Sequence, residues 1–478
     1  MNYRIILYTL GWVLNIEAVC MLVPLAGAVV FGEAYIPVYI LCAIICLAFG
    51  VPLTLKSPKN TGMYAREGLV TVSLSWIVIS IFGALPFVIT GYIPNFIDAL
   101  FETVSGFTTT GATVLSDIEA LPKSLLLWRS FTHWIGGMGV LVFLVAILPL
   151  CGGKNMHLLR AESTGPSVSK LVPKVGSSAK ILYGIYTFLT VLQVVLLVAG
   201  KMPFFEALTT AFGTAGTGGF AVKNSSIAEY SPYIQNVVSV FMIIFGIDFT
   251  VYYLILMRKF KEAFSSEEAR VYLAIIAVST VVVAFNCYGM YSSVGENLTH
   301  SLFQVSSVIT TTGFTTKDFD KWPQLSTTIL TMIMFVGACA GSTGGGMKVS
   351  RILILVKSMF KEIRDAIRPN SIHKIKFSGR TVEPEVIKTV NGYAAAYVAV
   401  FAVSLLLVSL DNFNFTTNFT AVAATINNVG PGLAGVGPAS NFAGYGTLST
   451  LVLIFDMLVG RLEVFPMLVL LSAHTWHK

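Results

Sequence analysis

The chain has 478 residues, 55% hydrophobic and only 12% charged, with a mean hydropathy of +0.77 and a formal net charge of +7. Soluble globular proteins carry roughly a quarter charged residues, so this chain lacks the charge to coat a water-exposed surface. Soluble enzyme, disordered tail and disulfide scaffold are excluded, and the 41 glycines and 33 phenylalanines fit a membrane protein whose small residues let helices approach closely.

Taken in chain order, apolar segments long enough to cross the hydrocarbon core fall at 5–30, 37–55, 69–92, 124–150, 181–200, 233–257, 270–290, 325–356, 386–409 and 447–472. They predict an all-α polytopic membrane protein with ten transmembrane helices and both termini on one side. The first segment is too long for the h-region of a cleavable signal and lacks a clear small-residue cleavage site. The connecting stretches 56–67, 152–180, 258–270 and 357–388 hold 20 of the 31 Lys and Arg residues, whereas 31–37, 112–124, 220–232, 314–324 and 431–446 hold four. Basic residues resist translocation, so the first set, and with it both termini, is expected on the cytoplasmic side. The positive charge is then topological, and no nucleic-acid partner is expected. Cys42 and Cys46 lie one helical turn apart without a His or acid beside them, which reads as packing and not as a metal site. No convergent His, Cys or paired-carboxylate constellation marks the chain as an enzyme.

Between many of these segments lie shorter ones, too short to cross, that end in Thr/Gly-rich runs. Residues 98–111 read DALFETVSGFTTTG and 300–313 read HSLFQVSSVITTTG; 206–219 (EALTTAFGTAGTGG) and 417–430 (TNFTAVAATINNVG) are more divergent copies. Their final glycines, Gly111, Gly219, Gly313 and Gly430, are spaced by 108, 94 and 117 residues. A second mark recurs in phase in the helix after each: Ile135-Gly136, Phe245-Gly246, Val336-Gly337 and Val459-Gly460. The repeating unit is helix, short half-helix, glycine turn, helix, and it predicts pore repeats at 68–165, 166–262, 263–375 and 376–478 behind an N-terminal helix pair at 1–67. Each half-helix must dip in from the outer face and return. Non-helical backbone at that depth is tolerated only where protein or a water-filled cavity satisfies it, and four such hairpins around a pseudo-fourfold axis supply one.

An ion entering a narrow pore exchanges its hydration water for other oxygens, and rings of backbone carbonyls provide these without net charge. Glycine permits the backbone conformations that turn carbonyls inward, and the half-helix C-termini would point their partial negative charge at a cation. The acids Asp98, Glu102, Asp117, Glu119 and Glu206 near the outer mouth either raise the local cation concentration or, for Asp98 and Glu206, stabilise half-helix N-termini.

These motifs (TTTGAT at 108–113, TGGF at 217–220, TTTGF at 310–314, NNVGPG at 427–432 and VGRLE at 459–463) resemble those of TrkH-type potassium-uptake subunits in the Trk/Ktr/HKT superfamily of cation transporters, from about residue 69 to the end. The resemblance implies a potassium filter at Thr109, Thr110, Gly111, Thr217, Gly218, Gly219, Thr311, Thr312, Gly313, Asn428, Val429 and Gly430. Glycine at 111, where sodium-favouring relatives have serine, supports potassium as the substrate. It further implies a bacterial cytoplasmic (inner) membrane location, a homodimer in membrane lipid, no cofactor in this chain, and a cytosolic nucleotide-sensing TrkA-like ring as partner, with 152–180 and 357–388 as candidate docking surfaces. A secondary transporter of another small cation or solute, with a broken-helix binding site, is the alternative.

Two features lie below the expected filter. Gly341, Ser342, Thr343, Gly344, Gly345 and Gly346 carry four glycines, which at about 1 kcal/mol each relative to Ala lower helix stability by roughly 3–4 kcal/mol. A broken helix is expected here; the resemblance makes it an obstructing, gating loop, and a glycine-lined helix contact is the alternative. Arg461 lies deep in the last segment, where an arginine costs roughly 2.5–3.5 kcal/mol. It is expected either to face the pore beneath the filter and help hold the loop, or to pair with Asp248 or Asp456. Glu463, two residues on, is expected to point elsewhere on the same helix.

Overall fold

Apolar runs of 19 to 29 residues can satisfy their backbone N–H and C=O groups inside lipid only as helices, and helix dominates the computed structural model, which describes residues 1–58, 64–139, 175–369 and 373–476. The elements in order are α1 (Tyr3–Cys20), α2 (Leu22–Phe31), α3 (Ile36–Thr54), α4 (Ala65–Gly83), α5 (Leu85–Thr90), α6 (Phe96–Phe107), α7 (Lys123–Gly137), α8 (Val175–Ala199), α9 (Phe204–Gly216), α10 (Pro232–Phe245), α11 (Phe249–Leu256) and α12 (Phe260–Phe264). There follow α13 (Glu267–Asn286), α14 (Val294–Ile309), α15 (Gln324–Val336), α16 (Val349–Ile367), the antiparallel hairpin β1 (Lys376–Phe377) and β2 (Arg380–Thr381), α17 (Pro384–Val408), α18 (Phe415–Ile426), α19 (Thr447–Leu462), α20 (Val464–Leu471) and α21 (Ala473–Trp476).

Among the described residues, six stretches are continuous apolar helices long enough to cross a membrane: Tyr3–Phe31, Ile36–Thr54, Arg66–Thr90, Lys180–Ala199, Glu267–Asn286 and Pro384–Asp411. The other four expected crossings are those that carry the second glycine mark, and each ends or breaks there. Helix α7 stops at Gly137, α10 at Phe245 with an 89° bend into α11, α15 at Val336, and α19 at Leu462. The break expected in the 325–356 segment is thus joined by ends or breaks in the three others; the remainder of 124–150 lies outside the described residues, as do 152–174 of the first candidate docking surface. The glycine mark itself has a steric reason. A methyl group at Gly136 or Gly460 would overlap the carbonyl oxygen of Phe107 or Ile426, so these helices press directly on half-helix ends.

The half-helices α6, α9, α14 and α18 have 12, 13, 16 and 12 residues. At 1.5 Å per residue they reach about 18–24 Å, short of the roughly 30 Å hydrocarbon core. Three begin at side-chain caps: Asn95, Ser293 and Asn414 accept from the N–H groups of Ile97, Glu296 and Thr417. The fourth has Pro203 at its entry and Glu206 in its first turn. The N-terminal pair packs through α1 and α3, where the Asn15 amide donates to Thr54 Oγ1 at 3.2 Å. Tyr39 on α3 donates its hydroxyl to Ser124 of α7 at 2.8 Å.

Candidate functional site

Each half-helix ends in the same turn. Thr109, Thr217, Thr311 and Asn428 have φ of 55°, 56°, 58° and 54°, and two residues later Gly111, Gly219, Gly313 and Gly430 have φ of 82°, 76°, 83° and 95°. The residues between them, Thr110, Gly218, Thr312 and Val429, donate their N–H to the carbonyls of Ser105, Gly213, Ser307 and Ala424 at 2.8–2.9 Å. This 6→1 bond is the Schellman closure of a helix C-terminus. Threonine is β-branched and an outlier at positive φ, with a cost of about 1–3 kcal/mol per residue, yet three of the four turns use it. Such strain persists only where the surroundings over-determine it.

The surroundings here are the other turns. A methyl group at Gly111 would overlap the carbonyl oxygen of Gly218, one at Gly219 that of Thr312, and one at Gly313 that of Val429. At Gly430 it would lie 2.8 Å from the carbonyl oxygen of Thr110. Each turn abuts the next and the fourth abuts the first, so the four segments close a ring, and all four glycines open into one cavity beside Asn224 and Thr315.

The two divergent copies depart from the Thr pattern for visible reasons. In the first and third, Thr110 and Thr312 hydrogen bond at 2.8 Å to Thr108 and Thr310 behind the turn. In the second, a Cβ at Gly218 would collide with the His133 ring. That imidazole donates from Nδ1 to the Gly106 carbonyl at 2.7 Å and accepts the Phe220 N–H at Nε2 at 3.2 Å, joining the first turn to the second. In the fourth, Asn428 donates to Thr110 Oγ1 and to the Met457 carbonyl, both at 2.9 Å, joining it to the first.

Behind the ring, Arg129 donates to Glu102 at 2.6 Å and to the Ala221 carbonyl at 3.0 Å, and its guanidinium lies 3.4 Å from the Phe220 ring centroid. Both ionic side chains are buried, 2% and 0% exposed. Glu102 also accepts from the Thr113 hydroxyl and the Val114 N–H. The expectation of Glu102 as a mouth acid is therefore corrected: its charge is consumed in an internal pair that holds the chain after Gly111. Of the other acids, Asp117 and Glu119 are exposed and bind Asn224. Asp98 sits in the first turn of α6, and Glu206, in the first turn of α9, accepts from Tyr230. In the segment after Phe220, Glu229 is held below the usual carboxylate range by Ser225 and Lys223.

Below the ring, residues 337–348 are not helical, a longer break than the six residues 341–346. Gly345 donates its N–H to Thr311 Oγ1 at 2.6 Å, which brings the loop against the third turn. A Cβ on Gly345 would meet the Asn427 carbonyl oxygen at 2.7 Å and one on Gly344 the Thr310 carbonyl oxygen at 3.0 Å. The α10–α11 bend supplies further ties: Cys339 N–H to Gly246 O (3.0 Å), Phe249 N–H to Gly341 O (3.1 Å) and Thr343 Oγ1 to Phe245 O (3.2 Å). Arg461 donates to the carbonyls of Thr343 (2.7 Å), Gly137 (2.9 Å) and Gly136, spanning from the loop to the end of α7. The acids offered as its ion-pair partners are engaged elsewhere, Asp248 with the Thr250 N–H and Asp456 with Ser404. Glu463 is not on the same helix as expected. With φ of 69° it stands in the break between α19 and α20 and pairs with Arg351 at 2.6 Å.

Sequence reasoning missed Arg129, His133, Glu268 and Lys348, whose ammonium is buried and donates to the Gly344 carbonyl. Charged or ring-nitrogen side chains within or beside apolar segments were the signal available. No group of three potential metal ligands occurs among the described residues.

The TrkH family profile, described as cation transport protein, matches residues 36–478, beginning well before residue 69. The chain is 36% identical to the Trk system potassium uptake protein TrkH of Salmonella typhimurium and 32% identical to the Trk system potassium uptake protein TrkG of Escherichia coli. These alignments cover 100% of this chain and 100% and 99% of those proteins. The crystal structure of the potassium transporter TrkH from Vibrio parahaemolyticus superimposes with a TM-score of 0.89 at 33% identity over 100% of both chains.

Proposed function

The chain belongs to the TrkH family of cation transport proteins, and we propose on that premise that it is a potassium-selective, channel-like uptake transporter of the bacterial cytoplasmic membrane. The observation that carries this reading is the ring: four turns with one φ pattern, each glycine against the carbonyl of the next turn. Alternating signs of φ direct successive N–H groups to one side of a strand, leaving carbonyls for the other. Residues 109–111, 217–219, 311–313 and 428–430 are the filter, and their carbonyls replace the hydration shell of potassium. The half-helix C-termini add partial negative charge. Transport is inward, driven by an inside-negative potential at roughly 2.3 kcal/mol per charge per 100 mV.

In this reading the chain makes ten crossings, an N-terminal pair (1–67) and four repeats (68–165, 166–262, 263–375, 376–478), with both termini cytoplasmic. Residues 341–346 are the gate, held closed by Arg461, whose fixed charge also repels cations below the filter. Homodimerisation and a cytosolic nucleotide-sensing ring acting on the 357–388 segment complete the scheme.

Rubidium and sodium flux in liposomes tests it. Rubidium is expected to permeate well ahead of sodium, Gly313→Ser to erode that preference, and deletion of 341–346 to raise basal flux. Equal flux of the two ions in the unmutated protein would remove the selectivity, and saturable uptake competed by an organic solute would favour a secondary transporter.

A further inference from the structure

Helix α16 begins without a capping side chain of its own: Lys348, at its N-cap, has φ of 77° and makes no side-chain cap. The first N–H groups of any helix need partners from outside it, and here one comes from another helix. Glu268, in the first turn of α13 and only 7% exposed, accepts the Ser350 N–H at 3.0 Å through Oε1. The same oxygen accepts the Ala340 N–H at 2.7 Å. Ala340 lies near the start of the non-helical stretch 337–348 and Ser350 just past its end, in the first turn of α16, so one carboxylate oxygen bridges the two limbs of the loop.

The preceding residue binds further along α16. Glu267 pairs with Lys357 of α16 and accepts the Ser378 N–H at 2.8 Å, while its own N–H donates to Ser378 Oγ at 3.3 Å. Lys357 also donates to the Lys376 carbonyl at 2.8 Å. The 376–381 hairpin is thus fastened to the residue next to the one that fastens the loop.

We propose that Glu268 is a positioning residue of the gate, clasping both limbs of 337–348 in the obstructing position, and that the Glu267–Glu268 step carries displacement of the hairpin to the loop. The proposal rests on the reading of 341–346 as the gate. Ala340 and Ser350 converge on one oxygen of α13, so separation of α16 from the 337–340 segment must break at least one of the two bonds. Asp248, against Gly341 on the loop's other flank, caps α11 and stays with it. Glutamine keeps an sp2 oxygen able to accept two N–H groups, whereas alanine leaves both amides to find new partners by moving.

The test is rubidium flux in liposomes with Glu268→Ala, Glu268→Gln and, as a control, Arg461→Ala. Loss of two bonds to a charged acceptor is expected to raise basal flux of Glu268→Ala about tenfold or more. The rubidium-to-sodium ratio should stay at the unmutated value, and Glu268→Gln should restore low flux. Cys339, buried within the loop, gives a readout independent of permeation: its modification by a small thiol reagent, followed by peptide mass spectrometry, should accelerate by a similar factor in Glu268→Ala. If that variant does not accumulate as folded protein, Glu268→Asp, whose arm is one methylene shorter, replaces it. Unchanged flux and Cys339 reactivity in Glu268→Ala, beside raised flux in Arg461→Ala, would overturn the clasp and leave the gate standing. No rise in either variant would overturn the gate itself. Glu267→Ala should raise flux by a smaller factor, and no change there would remove the hairpin relay.

Discussion

The ring of four turns and the loop beneath it are both glycine-rich, non-helical and buried in the same part of the molecule, yet they are held in opposite ways. The ring is closed by its own backbone: each glycine meets a carbonyl of the next turn, and each turn is fixed by a bond to its own half-helix. The loop is held by side chains and bends borrowed from elsewhere: Thr311 above, Glu268 at its base, the α10–α11 bend on one flank and Arg461 reaching across to α7. A structure that closes on itself has one arrangement. One held by several separate ties can let go of them.

That contrast can be broken most forcefully from behind the ring. Removing one partner of a buried ion pair leaves the other charged and uncompensated, at a cost of about 3–5 kcal/mol. Glu102→Ala, which strands Arg129, is expected to produce the largest loss, read as a fall in thermal unfolding temperature in detergent and as loss of rubidium flux. A normal unfolding temperature would show that the ring needs no support from this pair. Next comes the ring itself. Gly219→Ala places a methyl group against the Thr312 carbonyl at φ of 76°, where L-residues pay a steric penalty. Rubidium-over-sodium selectivity should drop by about a hundredfold, equivalent to about 2.7 kcal/mol.

What the sequence disclosed follows the same division. The half-helices, the four key glycines and the second glycine mark were legible because backbone geometry imposes the same residue at the same place in each copy. Glycine is required at 111, 219, 313 and 430 by positive φ and by the next turn's carbonyl, and a requirement repeated in every copy leaves a period. The loop's ties leave none. Arg461 was visible as an arginine within an apolar segment, but its acceptors are backbone carbonyls, which no residue type announces. Glu268 stands at the start of a crossing, where an acid is ordinary at a helix N-terminus. Glu102 looked like a mouth acid because its partner, Arg129, lies 27 residues away on another helix. Breaks in α10 and α19 were hidden too, since Gly246 is a single glycine in an apolar run and α19 runs past Gly460 to break only at Glu463, a residue that does not announce its φ of 69°.

A smaller effect is expected below the ring. Arg461→Ala removes the donors to Thr343, Gly136 and Gly137 without touching a residue of the four turns. Basal rubidium flux should rise about tenfold, or about 1.4 kcal/mol, the scale of one or two hydrogen bonds from a charged donor. Selectivity should remain, because the turns do not depend on this guanidinium. A fall in selectivity as large as that of Gly219→Ala would erase the distinction between a self-closed ring and a tied loop.

The smallest effect sharpens the comparison at the fourth turn, whose own Asn428 side chain reaches the first. Asn428 stands where the other copies have threonine, tolerates positive φ better than a β-branched residue, and spans to Thr110 and Met457 through one amide nitrogen. Asn428→Thr restores the common pattern and removes both bonds. The Val429 N–H to Ala424 bond and the contact of Gly313 with the Val429 carbonyl are backbone features and survive the change. If backbone closure dominates, rubidium selectivity should fall only about fivefold, near 1 kcal/mol, the low end for two neutral hydrogen bonds at about 0.5 kcal/mol each. A collapse comparable to Gly219→Ala would mean that the fourth turn is held by its side chain and belongs, mechanically, with the loop.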